Sequence, residues 1–227
     1  MDHLDFGLMP LREYLSDEVY NKLIRRAHRT NFKSGNVIHS RGETMARFGV
    51  VAEGGVRFGR YLQDGNFNLL FEVGPGGHFG DGQGLLRAAY AHHACSIGNT
   101  KIDFLDSKAL IDLLTEEPSF ALALSKVNAA RLMRLLDLYH DARTLSVPMR
   151  LAKLLLIHVG RGKIANGVAC LQRDLSELLG VSSVSVSTAL KELENAGLVA
   201  SGYRQIIVPD KASLEAWLSK SNATKAD

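Results

Sequence analysis

Residues 170–208 contain the pattern that most restricts what this chain can fold into, namely two short amphipathic segments separated by a tight turn. The first segment carries leucines at i, i+4, i+7 and i+8, which indicates a helix with one buried face: Leu171, Leu175, Leu178 and Leu179. Gly180 can take the left-handed conformation of a turn, and Ser182 can cap the helix that follows. The second segment has its own apolar stripe at i, i+3, i+4 and i+7: Val186, Ala189, Leu190 and Leu193.

The other face of the second predicted helix is small and polar, and a basic hairpin follows it. Residues 198–201 and 205–208 are expected to pair as strands around Gly202-Tyr203-Arg204. Small side chains allow a helix to approach the major groove closely, and hydroxyls can bond to phosphates and base edges. Core packing would explain two helices and a glycine turn, but not the polar face and the basic hairpin. The segment therefore predicts a winged helix-turn-helix, with these expected DNA contacts: Gln172, Arg173, Ser182, Ser183, Val184, Ser185, Ser187, Thr188, Lys191 and Arg204.

Between Phe32 and Phe104, short apolar runs alternate with glycine-bearing turns. The runs are residues 37–38, 48–51, 69–73 and 102–105. Asp64-Gly65 is a strong hairpin signal, because the favoured two-residue turns need positive φ. This pattern predicts a small all-β barrel or jelly roll. In front of it, the apolar spacing of residues 11–30 predicts a helix.

Residues 119–143 contain no glycine or proline and are rich in good helix formers, which predicts one long helix. Its apolar positions are too many for a single stripe. If one face packs on the barrel, a second apolar face still has to be buried against another surface. Burial within one chain would supply that cover, but a long helix between two domains favours a parallel homodimer seam. The residues expected in the seam are Leu132, Leu135, Leu136 and Tyr139. Ser146 and Pro148 are expected to begin the next helix, over residues 149–159.

The composition excludes several classes of protein. The 227 residues include only two cysteines, whose spacing fits neither a disulfide framework nor a cysteine-ligated metal. No apolar run is long enough for a membrane span, and the first ten residues lack the basic-then-apolar start of a secretion signal. A cytoplasmic protein without a membrane partner is therefore expected. The formal net charge of +3 permits a nucleic-acid partner without demonstrating one.

Taken in order, motifs spread over residues 15–215 resemble the cyclic AMP receptor protein / fumarate-nitrate regulator (CRP/FNR) superfamily. The motifs are Gly35-Asn36-Val37-Ile38, Arg41-Gly42-Glu43, Val50-Val51-Ala52-Glu53-Gly54, Gly74-Pro75-Gly76-Gly77-His78-Phe79-Gly80-Asp81, Arg150-Leu151-Ala152, and Asp174-Leu175 to Leu198-Val199. The resemblance implies an α+β chain. Its parts would be a cyclic-nucleotide-binding-like β-roll (a double-stranded jelly roll) in residues 1–117, a dimerisation helix and hinge in 118–145, and a winged helix-turn-helix in 146–227. It also implies a homodimer on two-fold double-stranded operator DNA, with RNA polymerase as a further partner.

Two departures from the family pattern argue against control by cyclic AMP. Members that hold the cyclic phosphate use a Gly-Glu turn and then Arg-Ser/Thr-Ala, where this chain has Gly80-Asp81 and His92-His93-Ala94. Arginine offers a permanently charged fork, whereas histidine near neutral pH offers at best a partial charge. The family's polar adenine-contacting pair aligns with Leu135-Leu136, which cannot donate those hydrogen bonds.

The contents of the expected pocket stay open at this stage. Backbone N–H groups at Gly82–Gly84 could receive an anion, or the pocket could be filled by its own side chains. The residues expected to line it are Gly80, Asp81, Gly82, Gln83, Gly84, His92 and His93. As neighbours on a strand, the two histidines would face opposite sides, so no metal site is expected. The cysteine count excludes an iron–sulfur cluster, a haem held by His78, His92 or Cys95 stays open, and nothing basic beside Cys95 activates its thiol.

Three functions are compatible with these patterns: an effector-controlled dimeric regulator, a constitutively competent regulator, and an enzyme in the barrel. Leu135 and Leu136 favour the second, because they would tighten the seam without a ligand. The barrel region has no paired carboxylates at a useful spacing, no catalytic triad pattern and no phosphate loop. We therefore expect no catalytic residue, no cofactor, and a sequence-specific DNA-binding regulator whose effector is unknown and is not cyclic AMP.

Overall fold

The structure, a computed structural model, describes residues 7–44, 47–63, 65, 67–161, 164 and 166–223. The chain divides into two compact units, one formed by Leu8–Met133 and the other by the residues from Arg134 onward together with Gly7. The division lies inside one long helix, and the boundaries predicted at residues 117 and 145 stay a prediction. Of the helices in the described residues, none is both long enough and apolar enough to cross a membrane.

The unit Leu8–Met133 is built on an antiparallel six-stranded sheet. Its strands are β1 His28–Phe32, β2 Val37–His39, β3 Arg47–Tyr61, β4 Phe67–Val73, β5 His78–Phe79 and β6 His93–Asp106. The order along the main path is β1-β6-β3-β4, with β2 paired to β6 and β5 paired to β3. The predicted β-roll is confirmed. Tyr61 pairs with Phe67, so the expected hairpin lies between β3 and β4, but Asp64 itself is outside the described residues.

Helices flank this sheet at both ends of the unit. They are a 3-10 helix Leu11–Tyr14, α1 Asp17–Arg26, α2 Asp81–Leu86, α3 Ser107–Glu116 and α4 Pro118–Thr144. The single helix predicted over residues 11–30 is therefore wrong in its bounds. Ser16 caps α1 by accepting a hydrogen bond from the Val19 N–H, and α1 ends at Arg26. The next residues form β1 instead, because pairing with Thr100–Phe104 of β6 satisfies their backbone groups.

Side chains that alternate between the two faces of the long strands β3 and β6 contribute to two apolar clusters. Val51 and Phe104 belong to a cluster inside the roll, whereas their neighbours Val50 and Leu105 pack with helical residues on the other face. Successive strand side chains point to opposite faces, so adjacent apolar residues can serve both clusters. The helical residues that pack against the outer face include Leu23, Leu110, Leu113, Phe120, Leu124 and Val127.

Helix α4 changes its surroundings along its length, and its existence confirms the helix predicted over 119–143. Phe120, Leu124 and Val127 near its start are buried. Further along, the four predicted seam residues are between 48% and 63% exposed: Leu132, Leu135, Leu136 and Tyr139. Their spacing of i, i+3, i+4 and i+7 places them on one stripe of the helix.

The C-terminal unit contains the predicted winged helix-turn-helix. Its elements after α4 are α5 Val147–His158, β7 Gly167–Ala169, α6 Gln172–Leu179, α7 Ser183–Asn195, β8 Ala200–Gly202, β9 Gln205–Ile207 and α8 Lys211–Ala223. Gly180 takes the left-handed conformation with φ of 63° between α6 and α7. Leu175, Val186 and Leu193 are fully buried, as the apolar stripes predicted. Two elements were not predicted: β7, which adds a third strand beside β9, and α8.

A short hinge connects α4 to α5. Ser146 lies at the predicted N-cap position with an extended backbone, but its side chain makes no capping hydrogen bond. An ion pair spans the hinge, because the Lys153 ammonium of α5 donates to both carboxylate oxygens of Asp141 at 2.7 and 2.6 Å. Asp141 lies near the end of α4 and is buried.

Candidate functional site

Helix α7 presents a small polar face to solvent. Ser183, Thr188 and Lys191 are exposed, Ser187 is half-buried, and Val184 is 75% exposed among them. The opposite face is anchored in the core by Val186, so the orientation of the helix is fixed. This surface offers hydroxyls, one apolar side chain and one cation, a set of groups able to reach base edges and phosphates in a groove.

The start of α7 is held by its cap. The Ser182 hydroxyl accepts a hydrogen bond from the Ser185 N–H at 3.1 Å and lies 2.9 Å from the Ser185 hydroxyl. These two predicted contact residues therefore position the helix start. The positive end of the helix dipole lies at this exposed cap, where it favours an anion such as a phosphate.

Basic and aromatic side chains flank this helix on two sides. Gln172 and Arg173 begin α6, and the exposed Arg173 has its Nε 3.7 Å from Oε1 of the half-buried Glu177. Arg204 sits at the tip of the wing with φ of 54°, in the left-handed region. Beside it, Tyr203 is 90% exposed. Sequence reasoning missed Tyr203 as a candidate contact, although an aromatic residue next to the wing arginine was a usable signal.

A separate cavity of about 130 Å³ lies in the β-roll. Aromatic side chains form much of its wall, and its polar lining comes from β2, β5, α2, α4 and the segment before β6. The lining residues are His39, Phe58, Phe71, His78, Phe79, Gly80, Asp81, Gln83, Tyr90, Ala91, His92 and Arg131. Gly80 allows the chain to turn into α2, because its φ is 81° and an added Cβ would lie 2.1 Å from the Arg47 carbonyl oxygen.

Hydrogen bonds join the polar wall of the cavity to α4. Arg131 donates to the His78 carbonyl oxygen at 2.8 Å and lies 3.1 Å from His78 Nε2. The Asn128 amide donates to Asp81 at 2.7 Å. Burial alone would raise the pKa of the Asp81 carboxyl, but His78, Asn128 and Arg131 together hold that pKa well below its usual range. The Asp81 carboxylate is therefore ionised and already paired.

The protonation of His78 follows from its neighbours. Burial lowers its pKa despite the Asp81 carboxylate, so the fully buried imidazole is neutral at pH 7. Its Nε2 lies between the Arg131 guanidinium and the Asp81 carboxylate, whose Oδ1 is 3.7 Å away. Its Nδ1 has no hydrogen-bond partner among the described residues.

The structure places only some of the expected pocket residues at this cavity. Gly80, Asp81, Gln83 and His92 line it. His93 does not, because β6 begins at this residue and its Nδ1 accepts a hydrogen bond from the Arg41 N–H. The expectation that both histidines lie on one strand is wrong, since His92 precedes β6.

The glycines of α2 do not form the expected anion cradle. Gly84 is buried against Leu110, and its N–H donates to the Gly80 carbonyl oxygen at 2.9 Å. Neither Gly82 nor Gly84 lines the cavity.

Both cysteines are buried and poorly suited to redox chemistry. Burial raises the pKa of Cys95, and it raises that of Cys170 to about 12. Since the thiolate is the reactive form, the expectation that nothing activates Cys95 agrees with this environment. No group of three or more metal-ligating side chains comes together in the part of the chain that the structure describes.

Most of the cavity wall was missed from the sequence. His39, Phe58, Tyr90 and Arg131 come from four distant parts of the chain. Arg131 had a signal, because it lies four residues after the buried Val127 and so continues the buried stripe with a charged residue. The aromatic residues had none, since an aromatic side chain in a strand is normally core.

Two family models match the chain in the order of its units. The model described as a cyclic nucleotide-binding domain matches residues 29–117, and the model described as a Crp-like helix-turn-helix domain matches residues 149–217.

Similar proteins cover most of the chain. A "CRP-like cAMP-activated global transcriptional regulator" of Mycobacterium tuberculosis (strain ATCC 25618 / H37Rv) is 26% identical over 85% of this chain and 88% of its own. The "Transcriptional regulator LdrP" of Thermus thermophilus is 28% identical over 81% of this chain and 93% of its own. Among solved structures, a CooA mutant from Carboxydothermus hydrogenoformans superposes with a TM-score of 0.76 at 18% identity, over 92% of this chain and 96% of that one.

A first prediction concerns the buried His39 in the cavity wall. Its ring stacks on Tyr90 with centroids 3.6 Å apart, and burial lowers its pKa to about 4. Because this pKa lies below that of the unfolded chain, the unfolded state binds more protons between the two values, and stability falls as the pH is lowered. We expect His39 to account for about 2 kcal/mol of the loss in unfolding free energy from pH 7 to pH 5. Urea unfolding at both pH values should show a smaller loss by that amount in His39→Phe, and an equal loss would contradict the prediction.

Proposed function

Because the chain belongs to the CRP/FNR family of transcription regulators, we propose that it acts as a homodimer on operator DNA without control by cyclic AMP. The observation that carries the proposal is the exposed polar face of α7, anchored by a buried stripe and flanked by a basic wing. RNA polymerase is proposed as its partner at promoters.

The recognition surface supports an unusual mode of base reading. Family members commonly place Arg and Glu early on the recognition helix and another Arg a turn later, where this chain has Ser183, Val184 and Thr188. We propose that Val184 contacts thymine methyl groups and that the two hydroxyls contact phosphates or base edges. The operator would then depend less on bidentate guanine contacts. Gln172, Arg173, Lys191 and Arg204 supply the remaining phosphate or base-edge contacts.

The exposed stripe on α4 supports the homodimer. Leu132, Leu135, Leu136 and Tyr139 form a continuous apolar surface that a second copy of the helix would bury. A two-fold axis along this seam would present two copies of α7 to successive major grooves, about 34 Å apart.

The β-roll cavity argues against cyclic AMP as the effector. Its volume of about 130 Å³ is small for a nucleotide and smaller still for a haem macrocycle. The α4 positions that align with the family's adenine contacts are Leu135 and Leu136, which lack polar groups. A constitutively competent regulator is the second candidate, because those leucines would tighten the seam without a ligand.

Cyclic AMP is expected to leave operator affinity unchanged. The measurement is fluorescence anisotropy of a labelled operator titrated with the full-length protein, with and without millimolar cyclic AMP. An affinity increase of about tenfold or more, the size of a typical allosteric coupling, would overturn this part of the proposal. Unchanged affinity in the presence of small molecules extracted from cells would favour the second candidate.

Lys191→Ala should weaken operator binding through the loss of one phosphate contact. The plot of log affinity against log salt should become shallower by about 1, because one fewer counterion is released on binding. Lys33→Ala is the matched control, since it removes an exposed lysine in the β-roll. A Lys191→Ala slope equal to that of the wild type and of the control would contradict the assignment of Lys191 to the interface.

Leu136→Glu should separate the dimer. The residue is exposed in the single chain, so the change should leave each copy folded while placing two buried charges at the seam. Sedimentation should show a monomer, and operator affinity should fall by at least about 100-fold, since binding through both half-sites is lost. Asp137→Lys changes an exposed residue on a different face of the same helix and should leave the dimer intact. A dimeric Leu136→Glu would refute the proposed seam.

A further inference from the structure

Resting on the proposed function, we propose that the tip of the wing, Tyr203 and Arg204, enters the minor groove that borders each half-site and selects A·T pairs there. The proposal combines the narrow shape of the tip, the way in which neighbouring elements hold it, and its two exposed side chains. Among the described residues, neither side chain has a hydrogen-bond or ion-pair partner.

The tip is narrow enough for a minor groove. Gly202 pairs with Gln205, so Tyr203 and Arg204 alone form the turn between β8 and β9. Gly202 also leaves the ribbon without a side chain on one side of the turn. Neighbouring strands lie about 4.8 Å apart, so side chains at such a tip can enter a minor groove about 6 Å wide. A helix with its side chains is about 10–12 Å across, which suits only the major groove.

The tip is held in place relative to α7. At its root, Ile206 is buried in the core of the unit. On one side, the Ser201 N–H of β8 donates to Glu194 Oε1, in the last turn of α7, at 2.9 Å. On the other side β7 pairs with β9, and the Cys170 N–H donates to the Arg204 carbonyl oxygen at 3.2 Å. When α7 lies in the major groove, the tip is therefore presented to the adjacent minor groove.

Arg204 occupies a strained backbone position. Its φ of 54° lies in the left-handed region, which glycine, asparagine or aspartate normally fills at a hairpin turn. Glycine would relieve this strain, so the folding of the hairpin does not explain an arginine at this place. An exposed guanidinium on a rigid tip is attracted by the negative potential of the narrow minor groove that A·T pairs form.

Tyr203 favours the minor groove over a phosphate as the partner of this tip. A single phosphate would satisfy Arg204 but would leave the ring of Tyr203, which is 90% exposed, in water. In the minor groove the ring can pack against the sugars of the walls, while the guanidinium donates to the adenine N3 and thymine O2 acceptors of the floor. A G·C pair adds an amino donor in the same space, which opposes the N–H groups of the guanidinium.

Duplexes that differ only in the minor groove test the proposal. An operator is first selected from random duplexes with the full-length protein. The base pairs of the minor-groove segments that border each half-site are then made A·T, G·C or inosine·cytosine (I·C). Inosine keeps the major-groove groups of guanine but lacks its minor-groove amino group. Fluorescence anisotropy should show affinities for the A·T and I·C duplexes that agree within about twofold, and an affinity for the G·C duplex at least about fivefold weaker.

Two variants assign this preference to the tip. Arg204→Gly removes the guanidinium and suits the left-handed backbone, so the hairpin should stay folded. It should reduce the preference for I·C over G·C to within about twofold. Tyr203→Ser should weaken binding to the I·C duplex at least about threefold, because the ring loses its contact with the groove, and should leave binding to the G·C duplex unchanged.

Lys191→Ala is the matched control, because it removes a cation of α7 instead of the wing. It should weaken binding to all three duplexes by the same factor and leave the preference intact. Circular dichroism of each variant shows whether it is folded.

The outcomes separate this inference from the proposed function. Equal affinity of the wild type for the I·C and G·C duplexes would overturn the inference. An unchanged preference in folded Arg204→Gly, or an unchanged affinity of folded Tyr203→Ser for the I·C duplex, would overturn it as well. If an operator is selected and its bordering pairs have no effect, only this inference fails. If no duplex is enriched over the random pool, the proposed function fails together with it.

Discussion

Helix α4 passes through three different environments along its length, and the rest of the structure depends on that constraint. Its first turns bury Phe120, Leu124 and Val127 against the outer face of the β-roll sheet. A little further on, Asn128 and Arg131 hold the polar wall of the cavity, and then an apolar stripe lies in solvent. Because a helix is a stiff rod with fixed periodicity, a change in how one segment is held alters the direction of the next. The same helix therefore contributes to the core, to the cavity wall and to the proposed seam.

How much was predictable depended on whether the determining contacts were local. In α7 the turn glycine, the capping serine and the apolar stripe lie within fifteen residues, so sequence pattern was enough to place Gly180, Ser182 and Leu193. The β-roll was recognisable for a similar reason, because glycine turns and short apolar runs recur at short range. The prediction was wrong for the segment after Arg26, because its structure depends on a distant partner. Nothing in the local sequence distinguishes a continued helix from a strand that pairs with β6, some seventy residues away.

The lining of the cavity could not be predicted for the same reason, because it depends on contacts between distant residues. Its polar wall joins His78 to Arg131, which is fifty-three residues away in the chain. The adjacent residues His92 and His93 show that even neighbouring residues could not be assigned correctly from the sequence. His92 lines the cavity while His93 faces the Arg41 backbone, because β6 begins between them. The residue at which β6 begins determines which of the two imidazoles lines the cavity.

The ion pair between Lys153 and Asp141 restrains the hinge between α4 and α5. Asp141 is buried, so a rotation that draws Lys153 away would leave a carboxylate without its cation in a poorly solvated position, which is unfavourable. The pair therefore stiffens the joint between α4 and α5 in the arrangement that the structure shows.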